Sequence, residues 1–297
     1  MDWRASKRCI GLTLECGGLN VVESRHEGRA HVVGWARAMS PIPALEAARR
    51  GETQPLAEAL LAVRERIGRR FVPIQLALPD PVVSTAVFEL EEIPPREQAR
   101  RALAAWRLAR DYQREPAELA CTAQYLGRDG DRHLLLVFGI ERRLREAVLA
   151  AVREAGLQVR VADAAAAYRF NHARASLAPE AAWITMEGEY WSMMLWDAQR
   201  RPRYLRAAWR DRGPDPGGEA EAILRELERA TRAYTASGRA VSHVQLTVPA
   251  EEREALLPVF AERLGESLEE LPVHLGFANG GLCDVPSLTR LAASVYR

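Results

Sequence analysis

Two short stretches, one in each half of the chain, carry polar residues at a spacing that could hold a phosphate or a cation. The first is Ile10–Val22 and the second is Trp183–Leu195; each reads as a strand, a Thr-x-Glu triplet, a turn containing glycine and a second strand. A glycine turn lets backbone N–H groups approach a phosphate, and a glutamate there could coordinate a cation. Two ordinary hairpins would carry the same residues. The candidate cofactor-binding positions are Thr13, Glu15, Gly17, Gly18, Asn20, Thr185, Glu187 and Gly188.

Other kinds of chemistry have little support in the residue types present. Lys7 is the only lysine, which excludes a mechanism built on a P-loop lysine or a Schiff base. The four cysteines form no C-x-x-C pair, and the six histidines do not cluster beside them. No serine–histidine–acid or cysteine–histidine pair has a catalytic spacing. We therefore predict no catalytic residue and no metal site.

Composition places the chain among ordinary globular proteins and bounds its partners. Its 297 residues suit two domains, and 48% hydrophobic with 27% charged residues can build two cores. A formal net charge of +1 argues against a protein whose main task is to hold nucleic acid. No signal peptide and no run of about 18 apolar residues is present. We expect a cytoplasmic protein that reaches a membrane only through a partner.

The elements that must position the two stretches follow a repeated plan. Each stretch opens a three-strand meander, and helices follow. In the first half we predict strands within Cys9–Glu23 and at His31–Ala38, a helix at Thr53–Arg69 and a strand at Pro73–Leu78. A helix at Ala164–Ala175 closes that half. In the second half we predict strands at Trp183–Met186, Met193–Trp196, Arg203–Ala208 and Val244–Val248, and helices at Glu219–Ser237, Ala250–Leu264 and Pro286–Tyr296.

Residues 82–161 differ in the order of their predicted elements, which is βαββαβ. This order indicates an inserted unit, a split βαβ subdomain. Its predicted strands are Val83–Leu90, Cys121–Leu126, His133–Ile140 and Gln158–Ala162, the middle two forming a hairpin. Its first helix opens at Pro94–Pro95 and carries Leu103, Trp106 and Arg110 on one stripe. Its second helix, Glu141–Ala155, ends at Gly156.

A meander-plus-helix unit repeated in two halves is the plan of the actin, Hsp70 and sugar-kinase fold. Over nearly its whole length the chain also resembles the PilM family, the cytoplasmic actin-like component of type IV pilus assembly, and its relatives in type II secretion. The resemblance rests on order and spacing in Ile10–Val22, Ala86–Glu92, Asp111–Leu126, Leu134–Glu141, Gly156–Asp163 and Leu291–Arg297. It implies an α/β, RNase H-like duplicated, actin-like ATPase fold. The predicted domains are 1–176, with the subdomain 82–161 inserted, and 177–297.

The chain departs from that family where nucleotide would bind. ATP-binding members have Asp-x-Gly and then a lysine in the first loop, where this chain has Thr13, Glu15 and Asn20. Thr185 and Glu187 replace the Asp and Gly of the second loop, with bulky Tyr190 and Trp191 following at positions that are usually small, and Val248–Glu251 replaces a Gly-Gly adenosine loop. A carboxylate about 4 Å from a phosphate charge costs roughly 4 kcal/mol at an effective dielectric near 20. We therefore predict a degenerate site without ATP or another cofactor, and no enzyme.

What remains is a role in binding, and the resemblance implies the partner. It is the cytoplasmic N-terminal tail of a bitopic, PilN-type inner-membrane protein, docked in an extended form beside the inserted subdomain. The predicted partner-binding residues are Val87, Leu103 and Trp106, although Leu103 and Trp106 could instead pack beneath the subdomain. An active actin-like ATPase or small-molecule kinase, and an unrelated interaction module of the same fold, stay open as alternatives. Self-association stays open as well.

Overall fold

The computed structural model describes residues 8–15, 18–26, 30–39, 44–67, 73–174, 177–210, 216–236, 238, 241–271, 275–276 and 282–283. The strands are β1 (Arg8–Glu15), β2 (Gly18–His26), β3 (Ala30–Met39), β4 (Pro73–Leu78), β5 (Val83–Leu90), β6 (Leu119–Asp129), β7 (Arg132–Glu141), β8 (Gln158–Ala164), β9 (Ala181–Met186), β10 (Tyr190–Trp196), β11 (Pro202–Trp209), β12 (His243–Thr247), β13 (Leu268–Glu270), β14 (Leu275–Gly276) and β15 (Leu282–Cys283). The helices are α1 (Ala44–Arg50), α2 (Gln54–Ile67), α3 (Glu97–Asp111), α4 (Arg142–Glu154), α5 (Ala165–Ala173), α6 (Pro216–Thr235) and α7 (Arg253–Leu264).

Two five-stranded sheets share one topology. The first has the order β3-β2-β1-β4-β8 and the second the order β11-β10-β9-β12-β13. In each sheet the three meander strands are antiparallel, and the last two strands join in parallel. Thr13 of β1 lies beside Ala77, and Thr185 of β9 lies beside Thr247. The Thr-x-Glu stretches therefore occupy equivalent strands, and the predicted duplicated α/β fold is confirmed.

Apolar alternation in the strands and a helical apolar stripe build a core beside each sheet. In the second half, α6 and α7 pack together, and their apolar residues join those of β9, β10 and β12 in one buried cluster. Trp196, Tyr190 and Phe260 are among the largest side chains that are fully buried. In the first half, α1 and α2 bury leucines and alanines, and β1 and β4 contribute alternate apolar residues. These cores hold each sheet against the helices beside it.

A third sheet, of three strands, forms the centre of the inserted subdomain. Its order is β5-β7-β6, so that β7 is the central strand, and α3 packs on one face. Phe88 and Leu90 of β5 meet Leu108 of α3 in this small core. Gly139 of β7 lies directly beneath Leu108. The predicted hairpin of the inserted segment is present as β6 and β7.

Contacts divide the chain into two compact units. Unit 1 comprises residues 1–82, 140–172 and 273–297, and unit 2 comprises 83–139 and 173–272. The inserted sheet is grouped in unit 2 because β5 contacts β11, with the Thr85 hydroxyl donating to the carbonyl of Leu205 at 3.3 Å. The division into domains 1–176 and 177–297 follows the duplication instead, and it stays a prediction.

The structure gives the inserted subdomain a shorter span than the predicted 82–161. β8, the last predicted strand of the insertion, pairs in parallel with β4 in the first five-stranded sheet. α4 packs on α1 and α2. A parallel pair needs a crossover connection that covers the sheet, and α4 is that connection. The three-stranded sheet with α3 is therefore the whole insertion, and α4 and β8 belong to unit 1.

Most predicted elements are present within one to four residues of their expected ends. As predicted, Gly156 terminates α4: it follows the C-cap residue Ala155 and adopts a φ of 71°, while the N–H of Leu157 donates back to the carbonyl of Val152. Four short elements, α1, β13, β14 and β15, were not predicted. The predicted helix Pro286–Tyr296 lies outside the described residues. Among the described residues, no helix is both long and apolar enough to cross a membrane.

Candidate functional site

The first predicted loop joins β1 to β2. Thr13 is fully buried near the end of β1, opposite Asn20 across the hairpin, and its hydroxyl finds no hydrogen-bond partner among the described residues. Glu15 pairs with Gly18 as the last rung of the hairpin. Gly17 lies outside the described residues. The structure thus brings four of the predicted positions, Thr13, Glu15, Gly18 and Asn20, to the end of one hairpin, as the alternating pattern implied.

The second predicted loop is a tight turn between β9 and β10. Thr185 lies beside Thr247 and opposite Ser192, and all three side chains are buried. The N–H of Glu187 donates to the carbonyl of Tyr190 at 2.8 Å, which closes the turn around Gly188. Glu187 is only 1% exposed. A buried glutamate therefore stands at the start of this turn.

β9 and β12 run in parallel, so that their carboxyl ends meet at one edge of the second sheet. β11 runs in the same direction and ends there too. The segment after β12, Val248–Glu251, continues as a single turn of 3₁₀ helix, Ala250–Glu252. We call this place the unit 2 edge: the turn 187–189, Arg210 after β11, the first turn of α6, and residues 248–252. It joins the second and third predicted nucleotide segments.

Arg210 lies at the centre of the unit 2 edge. Its guanidinium is paired in two directions: Nε and Nη2 donate to the carboxylate of Glu219 at 2.7 to 3.1 Å, and Nη2 donates to Glu252 at 2.6 Å. Nη1 donates to the carbonyl oxygen of Glu187 at 2.7 Å. The side chain of Arg210 is only 4% exposed. One guanidinium therefore ties together the two predicted nucleotide segments of unit 2 and helix α6.

The electrostatics of this group favour the charged form of Arg210. Burial lowers the pKa of the guanidinium, but the hydrogen bonds and charges of Glu219 and Glu252 more than offset this, and the net pKa is raised. Both ion pairs are shielded from water, since Glu219 is 12% and Glu252 23% exposed. The edge holds more carboxylates than cations. Among the described residues, no group of His, Cys, Asp and Glu is arranged to hold a metal ion.

Sequence reasoning missed Arg210 because the residue lies next to no recognisable motif. It follows a strand and precedes a segment rich in Gly and Pro. The only available signal was its position at the end of the third meander strand, the same edge as the two loops. Its partners Glu219 and Glu252 lie 9 and 42 residues away in sequence, so that only the folded chain brings the three together.

The predicted partner-binding residues do not line one surface. Ala86, Phe88 and Leu90 of β5 join the core under α3, so the alternate residue Val87 faces the opposite side of the sheet. On that same face, Thr85 contacts Leu205 and Glu89 contacts Arg203, and both of these partners lie in β11. Val87 is therefore separated from α3 by the sheet itself.

The two predicted residues on α3 differ in environment. Leu103 packs against the core of the inserted subdomain, which is the alternative given for it in the sequence-based prediction. Trp106, in contrast, is 51% exposed. The guanidinium of Arg110 lies over the Trp106 ring, 5.3 Å from its centroid. Nearby along the chain, the hydroxyl of Tyr112 bonds to both the N–H and the carbonyl of Thr85 at 3.3 Å. The exposed surface here is thus a tryptophan with a stacked arginine.

The two sheets of equal topology, each with helices beside it, define the class of protein: the chain has an actin-like ATPase fold. It is similar to a Bacteroides thetaiotaomicron protein with an actin-like ATPase fold and unknown function, at a TM-score of 0.58 and 8% identity over 97% of this chain and 98% of that one. No protein-family model matches the chain, and no curated protein matches it.

Two further solved structures refine the likeness. The chain is similar to a structure of the PilM–PilN type IV pilus biogenesis complex, with a TM-score of 0.65 and 18% identity over 89% of this chain and 88% of that one. It is also similar to the cytoplasmic domain of EpsL, an inner-membrane component of the type II secretion system of Vibrio cholerae, with a TM-score of 0.51 and 14% identity over 80% and 81%. The predicted resemblance to the PilM group is confirmed at the level of the fold.

Proposed function

We propose that this chain is a non-enzymatic docking scaffold of a type IV pilus or related secretion complex. Its partner is the cytoplasmic N-terminal tail of a bitopic, PilN-type inner-membrane protein, which holds the scaffold at the cytoplasmic side of the membrane. The observation that carries the proposal is the likeness to the PilM–PilN structure over 89% of the chain, at a TM-score of 0.65. A likeness over 89% of the chain is too extensive to omit the whole inserted subdomain.

The docking surface is centred on Trp106. Tryptophan and arginine are the residues that most often dominate a binding interface, and here Arg110 already stacks on a half-exposed Trp106. Leu103 supports this surface from below, since it packs into the core of the subdomain. Val87 does not contribute to this surface, because it lies on the face of the inserted sheet that is opposite α3 and turned toward β11. An extended tail needs only main-chain hydrogen bonds and a few apolar contacts to bind here.

The scaffold works without nucleotide. Arg210 is already paired with Glu219 and Glu252 at the unit 2 edge, so that its charge is not available to a phosphate. Glu187 is buried in the same place. A phosphate group brought to this edge would meet these carboxylates, and each unit charge pair at about 4 Å opposes binding by roughly 4 kcal/mol at an effective dielectric near 20.

The test is calorimetry with the full chain and synthetic peptides. The peptides copy the cytoplasmic N-terminal segments of the bitopic membrane proteins encoded beside this chain. We expect one to bind with micromolar affinity, unchanged by millimolar Mg-ATP. Trp106→Ala should weaken binding by about 30-fold, the cost of roughly 2 kcal/mol that is typical of a lost hot spot. Tyr125→Ala removes another exposed aromatic of the same subdomain and should leave binding unchanged.

Binding by none of these peptides would contradict the scaffold role, and equal losses in the two variants would place the tail elsewhere. A rise in the melting temperature with Mg-ATP would favour the alternative, an active actin-like ATPase or kinase. A ligand at a hundredfold excess over its Kd stabilises a protein by about 2.7 kcal/mol, which a thermal scan detects easily.

A further inference from the structure

Arg210 at the unit 2 edge is contacted from several sides, as a bound ligand would be. Three elements that are far apart in sequence converge on it: the turn after β9 through the Glu187 carbonyl, helix α6 through Glu219, and the turn after β12 through Glu252. Two of these three elements, the turn after β9 and the turn after β12, are predicted nucleotide segments. In their place the structure holds one buried cation supplied by the chain.

All three nitrogen atoms of the Arg210 guanidinium donate hydrogen bonds. Glu219 receives the paired Nε and Nη2 donors in a forked arrangement, and Glu252 shares Nη2. The Glu187 carbonyl receives Nη1. A planar fork with fixed directions can satisfy three acceptors at once, whereas the ammonium of lysine cannot copy this geometry. Since Glu219 and Glu252 would repel each other without the cation between them, the arrangement depends on Arg210 itself.

We infer that Arg210 is an internal substitute for a ligand: it orders the unit 2 edge without nucleotide, while Glu219 and Glu252 keep anions away from it. This inference rests on the proposed nucleotide-free scaffold and explains how the unit 2 edge is ordered without nucleotide. It has two consequences. The edge is ordered in the protein as it stands, and it becomes receptive to an anion only when the two carboxylates are neutralised.

The first test is hydrogen exchange followed by mass spectrometry on the full chain. In Arg210→Gln, amides of the turn 187–190 and of residues 250–253 should exchange about ten- to a hundredfold faster, the factor expected for a lost charged hydrogen bond. Both segments should change together, although they lie far apart in sequence. Arg210→Lys should give a smaller but parallel increase. Arg206→Gln is the matched control, since Arg206 is half-exposed on the same strand and lies 3.9 Å from Glu226.

If Arg210→Gln does not fold, Glu252→Gln serves in its place. That variant keeps the Arg210–Glu219 pair, so that residues 250–253 should exchange faster while the turn 187–190 stays protected. Unchanged exchange in both segments, or a change equal to that of the Arg206→Gln control, would overturn the inference that Arg210 orders the unit 2 edge.

The second test uses inorganic phosphate as the probe. Millimolar phosphate should raise the melting temperature of the double variant Glu219→Gln, Glu252→Gln, because Arg210 then lacks both carboxylates, and it should leave the wild-type chain unchanged. No rise in the double variant, or an equal rise in the wild type, would contradict the exclusion of anions. Failure of peptide docking leaves both results unaffected, so that the scaffold role and the role of Arg210 at the unit 2 edge are judged separately.

Discussion

At the scale of single residues, charge is organised around a few buried or half-buried partners. Glu226 of α6 accepts a hydrogen bond from the hydroxyl of Tyr204 on β11 and another from Arg229. Burial, followed by the hydrogen bond to Glu226, raises the pKa of Tyr204 to about 12. For Glu226, burial raises the pKa, but the hydrogen bonds from Tyr204 and Arg229 outweigh it and the net pKa is lowered. This carboxylate joins a sheet to a helix.

Glu226 should therefore make the stability of the chain depend on pH in the acid range. A carboxyl whose pKa is lower in the folded state contributes stability above its unfolded value, near 4.5, and loses that contribution as the pH falls through the lowered value. We expect the unfolding free energy of the wild type to fall more steeply than that of Glu226→Gln below pH 4.5. Denaturant titrations across this range measure the difference.

Glu228→Gln is the control for this measurement, because the Glu228–Arg263 pair is about half exposed and contributes little. Parallel pH profiles for the wild type and Glu226→Gln would show that the Tyr204–Glu226 contact does not couple to folding.

At the scale of elements, the inserted subdomain depends on one close approach between helix and sheet. A Cβ atom added at Gly139 of β7 would lie 2.4 Å from Cδ2 of Leu108 and 3.1 Å from Sγ of Cys121. Leu108 belongs to α3 and is fully buried. The absence of a side chain at residue 139 therefore lets α3 settle on the centre strand, and it sets the spacing between helix and sheet.

Gly139→Ala should thus destabilise the chain by about 1–3 kcal/mol, the usual cost of overpacking a core. Leu108→Ala removes the atom that the new methyl group would meet. In the double variant the added cost of Gly139→Ala should be much smaller than in the wild-type background, and denaturant unfolding of all four proteins measures this coupling. Additive costs would show that the strain arises from Cys121 or from the backbone instead.

The elements also show which local patterns predict structure. The repeated meander was predictable because strand alternation and glycine turns act within a few residues. The short α1 was missed: its seven residues are mostly alanine and arginine, and too few turns are present to give a periodicity. β13 has three residues and exists because it pairs in parallel with β12, which is a contact across the fold.

At the scale of the whole molecule, unit 1 is assembled from separate parts of the chain. Asp80 lies where the chain is about to leave unit 1, and Arg169 lies near the point where it leaves again. The Arg169 guanidinium donates to Asp80 at 2.5 Å, and the N–H of Ala166 donates to the same carboxylate at 2.6 Å. Both charged side chains are about 95% buried. This pair joins β4 to the start of α5 across the whole insertion.

Asp80→Ala should destabilise the chain by about 3–5 kcal/mol, because it leaves the charge of Arg169 buried without its carboxylate and uncaps α5. Glu97→Gln breaks an exposed pair with Arg101 and should cost about 0.5 kcal/mol or less. Thermal and denaturant unfolding compare the two variants. A loss for Asp80→Ala no larger than that for Glu97→Gln would mean that the buried pair adds nothing to the assembly of unit 1.

The sequence by itself determined the features that depend on near neighbours. Alternation, glycine turns and helical stripes predicted the duplicated meanders, the inserted hairpin and the two equivalent Thr-x-Glu positions at Thr13 and Thr185. The order of these elements was enough to indicate the actin-like class.

The tertiary structure alone decided what depends on distant segments. It placed β8 beside β4 and ended the inserted subdomain before α4. It set Val87 on the opposite side of the sheet from Trp106, since the face that a strand buries depends on what packs against it. It also brought Arg210 to Glu219 and Glu252. A buried charge selects its partner in space, and no spacing along the chain encodes that choice.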